Sequence, residues 1–536
     1  MDCKEMILSE DTYDIITDFS ASEFLGDDNN CYERIGEDFL ILYLGNLGIR
    51  NPKIDFFPYH NMPKLYGLMQ LSPSGETPPG VAPFDPADLI ASGITQVQRP
   101  PLSLTGQGVI LCFIDTGIDY QNPVFLDENG NSRILAIWDQ TVQTGAPPDG
   151  LKYGSEYRRE DINLALRSED PYSIVPSRDE NGHGSILAGV AAGSVVRQGN
   201  PYIGAAPGAD IVVVKLKECK QYLRSFYLVP EGVPAYQEND IMLGLKYLNH
   251  LAQQRKMPLV ICIALGTNFG GHNGTTPLSL ILDFYSRVLN RSVVIGTGNE
   301  AAKRHHYYHR FADRNSTSSA EIRVGNGVTG FVTELWSALP NVVTLSITSP
   351  SGERTRQVSL RQGYRYHFVF TFERTEVDVE YRLFLENNDS QLIFMRFHNP
   401  APGIWRINVE PIQMSEGEYH MWLPMEEFLS GEVYFLEANP DNTLTEPGTS
   451  RHAMTVAYYN SDDNAVDINS GRGYTRDGII KPDFAAPGVN ITGAGIQKNF
   501  VTRSSSSAAT GITAGAVALL LEWIMQQPGA RGVSAS

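Results

Sequence analysis

Three polar residues in this chain could together carry out nucleophilic catalysis. Asp115 ends the apolar run GVILCFID, His183 lies in ENGHGSILAGVAAG, and Ser507 lies in RSSSSAATGITAGAVALLLEW. A serine hydroxyl is a weak nucleophile unless an adjacent base takes its proton. A histidine near its ordinary pKa can take that proton and return it to a leaving amine, while a buried carboxylate orients the imidazole. These residue types therefore predict acyl transfer through a serine.

A fourth group, the amide of Asn299 in SVVIGTGNE, could stabilise the oxyanion that such a reaction creates. An asparagine amide donates a hydrogen bond to the developing negative charge, and removing such a donor costs about 10²–10³ in turnover. Ser507 stands at the start of a predicted helix, where backbone N–H groups and the positive end of the helix dipole favour the same charge.

The segments around these residues predict a doubly wound parallel sheet. Apolar runs of strand length (108–115, 211–217, 258–266 and 292–299) alternate with helical stretches at 183–196 and 238–255. Strands that alternate with helices form a parallel sheet covered on both faces. Active-site residues of such folds lie at the carboxyl ends of the strands, where Asp115 and Asn299 are expected.

The rest of the chain divides into further units. Residues 331–456 contain short alternating strands separated by turn signals, which predicts an all-β sandwich or jelly roll. The α/β pattern resumes at 457, so the β domain is inserted into an α/β domain of residues 93–330 and 457–536. Residues 1–70 predict a small α+β unit, and residues 71–92, rich in Pro, Gly and Ser, predict a linker.

The composition of the chain argues against several classes of function. The 536 residues carry a formal net charge of −19, so we expect no nucleic-acid partner. No apolar segment suggests a signal peptide or a membrane span. The five cysteines are scattered without metal-ligand spacing, which predicts neither zinc nor a disulfide framework and favours a reducing compartment. We expect no metal and no cofactor, and a cytoplasmic or spore-associated protein.

In their order and context, DTGID, GHGS, GTGN and KPDFAAPGV followed by a serine-bearing helix resemble the subtilisin-like serine proteases, or subtilases. The resemblance covers roughly 93–330 and 457–525, and it implies an endopeptidase acting on protein or peptide substrates. It implies that Asp115, His183 and Ser507 are the catalytic triad and that Asn299 is the oxyanion donor. It also implies that the substrate backbone pairs with the edge strand Ala264–Leu265–Gly266.

Within that family, the chain is similar to the clostridial Csp germination proteases, which lack a signal peptide. This resemblance implies that residues 1–70 are a prodomain and an intramolecular inhibitor, and that residues 331–456 are a jelly roll. We expect self-cleavage near Gln70 and Leu71, where MPKLYGLMQ meets the linker. The subgroup's substrate implies a further partner, the zymogen of a spore-cortex hydrolase.

The chain departs from the family pattern close to the nucleophile. Ser505 replaces a glycine, Ser506 replaces a threonine, and Ile186 replaces a second histidine after the catalytic one. Replacing a glycine where the backbone needs unusual freedom would lower catalytic efficiency. An alternative is therefore a weak or inactive pseudoprotease that acts as a germination sensor or scaffold, and another is a general intracellular protease unrelated to spores.

Other residues invite different interpretations. Ser450 lies in a second GTS motif, but a strand rather than a small-residue helix follows it, which favours a structural role. His305, His306 and His309 have two-ligand spacing without an intervening acid, which favours a loop over a metal site. Asp119 is interpreted as a turn residue, and the pair Asp462 and Asp463 as a solvated loop rather than a calcium site.

Overall fold

The structure is a computed structural model that describes residues 2–18, 31–45, 59–69, 71–73, 87–196, 202–385 and 388–527. The strands among them are, in chain order, β1 (Tyr13–Asp18), β2 (Cys31–Ile35), β3 (Phe39–Leu44), β4 (Leu65–Leu68), β5 (Ser72–Pro73), β6 (Ile110–Asp115), β7 (Ile134–Asp139), β8 (Ser155–Arg158), β9 (Asp210–Lys215), β10 (Tyr236–Gln237), β11 (Leu259–Ile263), β12 (Leu265–Gly266), β13 (Arg291–Gly296), β14 (His306–Arg310), β15 (Ser318–Val324), β16 (Gly330–Ala338), β17 (Val342–Thr348), β18 (Tyr364–Phe370), β19 (Thr375–Arg382), β20 (Ser390–His398), β21 (Gly403–Gln413), β22 (Glu418–Trp422), β23 (Val433–Phe435), β24 (Met454–Tyr459), β25 (Phe484–Pro487), β26 (Ile491–Ala494) and β27 (Phe500–Ser504). The α-helices among them are α1 (Cys3–Leu8), α2 (Ala87–Ala91), α3 (Ile94–Val97), α4 (Arg159–Leu166), α5 (His183–Ala192), α6 (Gln221–Tyr227), α7 (Glu238–Arg255), α8 (Pro277–Ser286) and α9 (Ser506–Gln526).

The centre of the molecule is an eight-stranded sheet in the order β25-β24-β13-β11-β6-β9-β7-β8. Neighbouring strands are parallel except for β7 and β8. The residues of β6 and β11 are all buried, as expected for strands covered on both faces. Helices α5 and α9 pack in the core on one face of the sheet, and α7 and α8 in the core on the other. The predicted parallel sheet is present, and β6 and β13 bring Asp115 and Asn299 to the same edge.

Helix α9 is both long and apolar. Its 21 residues are long and apolar enough to cross a membrane by length and composition alone. Most of the helix is instead buried against the parallel sheet. The composition of α9 is therefore that of a core helix, in which small residues at its start allow close packing.

Two antiparallel sheets lie apart from the parallel sheet, with the orders β14-β22-β16-β20-β19-β18 and β17-β21-β15-β23. A shared hydrophobic core holds them together. The strands that belong to these two sheets do not coincide with the predicted domain boundaries of 331 and 456. Strands β14 and β15 already belong to the antiparallel sheets, whereas β24 belongs to the parallel sheet, because apolar alternation alone does not tell which sheet a strand joins.

The N-terminal residues fold into α1 and a small antiparallel sheet, β1-β3-β2. Their apolar side chains share a core with α7 and the parallel sheet. A buried ion pair between Lys220 and Asp14, with 2.6 Å between Nζ and Oδ1, also joins the two parts. The predicted α+β unit is therefore packed on the larger domain. Of the predicted linker, 71–73 and 87–92 are described and include β5 and α2.

One prediction about the cysteines is wrong. Cys3 and Cys31 form a disulfide, with Cα atoms 5.3 Å apart, where the sequence predicted no disulfide. The two residues lie 28 positions apart, and only the packing of α1 beside β2 brings them together. The other three cysteines, Cys112, Cys219 and Cys262, are free and buried.

Candidate active site

Asp115, His183 and Ser507 meet at the carboxyl edge of the parallel sheet. Asp115 is the last residue of β6, His183 the first of α5, and Ser507 the second of α9. The Nδ1 atom of His183 lies 2.8 and 2.9 Å from the two carboxylate oxygens of Asp115. Its Nε2 atom lies 3.0 Å from the hydroxyl oxygen of Ser507. Residues 68 and 324 positions apart therefore form one hydrogen-bonded chain from carboxylate to hydroxyl.

Burial and the neighbouring charge shift the pKa of His183 in opposite directions. All three side chains are almost completely buried. Burial lowers the pKa of His183, but the Asp115 carboxylate and its hydrogen bond more than offset this, so the pKa lies above its ordinary value of 6.5. A charged imidazole is favoured when an opposite charge lies this close. The site is thus suited to hold an imidazolium next to Ser507.

Asp179, which the sequence analysis did not single out, holds the start of α5. Its Oδ1 accepts hydrogen bonds from Gly182 N–H at 2.7 Å and from the Thr116 hydroxyl at 2.8 Å. Its Oδ2 accepts from the backbone N–H and the hydroxyl of Ser185. A carboxylate at a helix start satisfies N–H groups that the helix leaves unpaired. Its position four residues before His183, in the polar segment that leads to Gly182, was the available sequence signal.

Gly184 allows α5 to approach the loop that follows β6. A Cβ atom built on Gly184 would lie 2.2 Å from the Gly117 carbonyl oxygen. The N–H of Gly184 donates to the Thr116 hydroxyl at 3.0 Å, and Thr116 N–H donates to Asp115 at 2.7 Å. This close contact fixes the distance between Asp115 and His183.

The start of α9 does not require a glycine. Ser505, the N-cap residue, has a φ of −175°, an extended conformation open to any residue. Its hydroxyl accepts a hydrogen bond from Ala508 N–H. The expected need for unusual backbone freedom at this position is therefore absent, and the serine serves as an ordinary helix cap.

Asn299 lies beside the same helix start. It follows β13 by three residues, and its Oδ1 accepts a hydrogen bond of 3.1 Å from Ser506 N–H. This contact orients the amide next to Ser507. The structure thus brings together all four residues that the sequence indicated for the chemistry.

The predicted edge strand pairs with the N-terminal part of the chain itself. In β12, Leu265 and Gly266 pair antiparallel with Leu68 and Gly67 of β4. Met69 N–H donates to the Ala264 carbonyl at 3.3 Å. On its other side, β4 pairs with β10. The segment 65–69 therefore occupies the middle position of a three-stranded sheet beside the triad.

This segment ends against the serine. The Ser507 hydroxyl donates to the Met69 carbonyl at 3.0 Å, and the Ser506 hydroxyl donates to the Met69 sulfur at 3.2 Å. Gln70, where cleavage was expected, lies outside the described residues. Leu71 is half-buried, and Ser72 and Pro73 of β5 pair with Ser504 and Arg503 of β27. Described residues on both sides of position 70 are thus held by strand pairing.

Residues with other interpretations lie in separate environments. The Ser450 hydroxyl donates to the Ser279 carbonyl of α8. His305 pairs with Glu300, with 2.6 Å between Nδ1 and Oε2, and His306 Nε2 lies 3.0 Å from His420 Nδ1. His309 packs edge-on against Phe311. Among the residues that the structure describes, no group of three histidine, cysteine or carboxylate side chains could hold a metal ion.

The acidic turn residues serve local backbone contacts. Asp119 accepts hydrogen bonds from the backbone N–H groups of Gln121 and Lys498, both at 3.3 Å. Asp463 accepts from Ala465 N–H at 2.9 Å. The contacts with Gln121 and Ala465 are those of ordinary turns, whereas the contact with Lys498 joins Asp119 to a segment 379 positions away.

Comparison with known proteins places this geometry in context. The model of the subtilase family, Peptidase S8, matches residues 106–329 and 425–529. The serine protease AprX of Bacillus subtilis is 35% identical over 106 residues, which cover 16% of this chain and 24% of AprX. The solved structure of the Clostridium perfringens CspB protease matches with a TM-score of 0.72 and 30% identity. That match covers 83% of this chain and 90% of CspB.

Proposed function

We propose, on the premise that this chain belongs to the subtilase family and is a serine endopeptidase, that Asp115, His183 and Ser507 are its catalytic triad. The observation that carries the proposal is the continuous contact from Asp115 through His183 to Ser507. Subtilase relatives supply the reaction class, and this contact supports the assignment of the residues. A pseudoprotease has no need of three buried groups at these distances.

In the proposed mechanism, the Ser507 oxygen attacks the carbonyl carbon of the scissile peptide bond while His183 Nε2 takes the hydroxyl proton. The carbon–nitrogen bond then breaks, and His183 gives the proton to the leaving amine. Water repeats the sequence on the acyl-enzyme and releases the new carboxyl group. Asp115 keeps the imidazole oriented and stabilises its charged form throughout.

We assign the oxyanion site to Asn299 and the start of α9. The contact of Asn299 Oδ1 with Ser506 N–H orients the amide, whose Nδ2 carries the N–H groups proposed to donate to the oxyanion. The Ser507 N–H and the helix dipole act on the same charge. Donors that are already in place need no rearrangement during the reaction.

The first proposed substrate is the chain itself, cut between Met69 and Gln70. The sequence analysis placed the cut near Gln70 and Leu71. The Met69 carbonyl oxygen, however, is the one that lies 3.0 Å from Ser507 Oγ. The strand pairing of Gly67 and Leu68 with β12 supports the same register. Residues 1–69 are then a prodomain whose end lies in the active site and inhibits it.

The remaining assignments follow from resemblance to the Csp group. We propose that the two antiparallel sheets form the jelly roll of that group and that the protein is cytoplasmic or spore-associated. Its substrate in trans is then another protein, the zymogen of a spore-cortex hydrolase. A sensor or scaffold without activity is the rival, and it predicts no self-cleavage.

Intact-mass analysis of the purified protein tests the proposal. We expect wild type to contain a fragment that begins at Gln70, and the Ser507→Ala variant to remain full length. Ser450→Ala is the matched control and should be processed like wild type. A single full-length mass in wild type and Ser507→Ala alike would contradict self-cleavage.

A further inference from the structure

Strand β4, beside the triad, contains Gly67, which faces the packed side chains of Met425 and Phe428; these two side chains are called the wall below. Gly67 lies in β4, two residues before Met69, directly opposite Gly266 of β12. A Cβ atom built on Gly67 would lie 2.9 Å from the Met425 sulfur and 3.2 Å from both Met425 Cε and Phe428 Cε1. A real Cβ essentially never approaches another heavy atom within 3.0 Å. Even one methyl group at this position therefore requires the Met425 side chain to move and the Phe428 ring to give way by a few tenths of an ångström.

The backbone conformation at position 67 does not require a glycine. Gly67 is absent from the residues with positive φ, and it lies within an extended strand. Extended backbone is open to every residue. The space in front of position 67 is what excludes larger residues there.

Packing on the side away from Gly67 fixes the positions of Met425 and Phe428. Met425 and Phe428 are 3% and 1% exposed and belong to one hydrophobic cluster. The Phe428 ring stacks on Phe269 with 5.9 Å between centroids, and Phe428 N–H donates to the Met425 carbonyl at 2.9 Å. A methionine side chain is flexible, but the aromatic ring beside it is packed on its other face.

We propose that Met425 and Phe428 form a selectivity wall that restricts this protease to substrates with glycine two residues before the residue whose carbonyl is attacked. The substrate class is an extended peptide segment of the form Gly-x-x, cut after its last residue. This inference rests on the proposed function, since it takes Met69 as the residue attacked by Ser507.

The wall also assigns a role to the region of the antiparallel sheets. Met425 follows β22, a strand of the six-stranded sheet, by three residues. That strand thereby places the wall over the substrate position. The region then contributes to the choice of substrate as well as to packing.

The test uses ten-residue peptides with the sequence of residues 63–72 and glycine, alanine or valine at the position of Gly67. Cleavage is measured with self-processed wild type, Met425→Ala and, as a matched control, Met414→Ala, over a range of peptide concentrations at which the peptide competes with the cleaved residues 65–69 for β12. Met414 packs in the core of the antiparallel sheets. Reaction of Ser507 with a fluorophosphonate probe is measured on each preparation.

We expect kcat/KM of wild type to fall about tenfold or more from glycine to alanine, and further for valine, because overfilled sites reject added groups. Met425→Ala should reduce the alanine penalty to about threefold or less, whereas Met414→Ala should leave it unchanged. Equal cleavage of the glycine and alanine peptides by an enzyme whose Ser507 reacts with the probe would overturn the inference alone. A penalty unchanged in Met425→Ala would overturn it as well. A wild type that neither cuts itself after Met69, nor reacts with the probe, nor cleaves any peptide would refute the proposed function and the inference with it.

Discussion

Asp179 accepts two hydrogen bonds from Ser185, one from its backbone N–H at 2.9 Å and one from its hydroxyl at 2.7 Å. Ser185 lies in the first turn of α5, two residues after His183. The hydroxyl of Thr116 binds the other oxygen of the same carboxylate, and Thr116 is the neighbour of Asp115. Asp179 therefore connects the element that carries Asp115 with the element that carries His183.

Replacing Asp179 with alanine should lower both stability and turnover. The change leaves N–H groups at the helix start unpaired, which costs about 0.5–2 kcal/mol in the free energy of unfolding. It also loosens His183 relative to Asp115, so we expect kcat to fall about tenfold or more while KM changes little. Thermal unfolding and peptide hydrolysis measure the two effects. Asp462→Ala, in an exposed turn, is the control; equal kcat in both variants would remove Asp179 from this positioning role.

The raised pKa of His183 predicts opposite effects of pH on activity and stability. The imidazole must be neutral to accept the serine proton, so kcat/KM should fall as pH decreases through a pKa above 6.5. The ion pair with Asp115 stabilises the fold fully below about pH 6.5, and this contribution is lost as pH rises through the raised pKa. Profiles of kcat/KM and of the melting temperature against pH measure both effects.

The Asp115→Asn variant tests the cause of that shift. Without the carboxylate, burial is opposed only by the smaller contributions of Asp179 and the Met69 backbone, so the pKa of His183 should fall. A neutral amide also favours the wrong imidazole tautomer, so kcat should fall by about 10³–10⁴. An inactive variant whose histidine titrates as in wild type by NMR would show that Asp115 does not set this pKa.

Ser505→Gly should bring no gain in activity, although it restores the usual residue of the family. Ser505 is extended and its hydroxyl caps α9, so glycine only removes a weak hydrogen bond, at a cost of a few tenths of a kcal/mol. Ser505→Ala is the paired variant, with a cost of about 0.5 kcal/mol or more. A large rise in kcat/KM for Ser505→Gly would show that the serine distorts the nucleophile.

The four residues that the structure brings together could be singled out from the sequence because each carries a local signal. Asp115 ends an apolar run, and His183, Asn299 and Ser507 lie in short motifs with small residues beside them. Asp179 carries a weaker signal, because an aspartate in a short polar segment is common in turns. Its role depends on hydrogen bonds to Thr116 and Ser185, whose placement the sequence does not encode locally.

The fold was predictable to a similar degree. Buried parallel strands can be recognised in a sequence as continuous apolar runs. The bounds of β6, β9, β11 and β13 were each predicted to within a few residues. Strands β14 and β15 were missed because their polar and apolar residues alternate next to a turn-rich segment. The Cys3–Cys31 disulfide and the wall formed by Met425 and Phe428 depend on contacts between distant segments.

The buried histidine pair of β14 and β22 predicts a loss of stability in acid. Burial lowers the pKa of His306 to about 3, and it lowers the pKa of His420 well below 6.5. Trp422 stacks on both rings. After burial, repulsion from His306 contributes most to the lowered pKa of His420, followed by Arg476 and His272.

Because the unfolded histidines protonate near pH 6.5 and the folded ones do not, the free energy of unfolding should fall as pH decreases below 6.5. The slope is up to about 1.4 kcal/mol per pH unit for each histidine. His420→Gln should reduce this slope; His452→Gln, at an exposed position outside the pair, is the control. Chemical denaturation at several pH values measures it; an unchanged slope in His420→Gln would contradict the assignment.

Labelling with a fluorophosphonate probe tests the central claim most directly, because the probe reacts only with an activated serine. We expect that wild type and Ser450→Ala are labelled once the cleaved residues 1–69 have been displaced, and that Ser507→Ala is not labelled. Labelling that persists in Ser507→Ala, or a wild type that is neither labelled nor cleaved after Met69, would contradict an active triad of Asp115, His183 and Ser507.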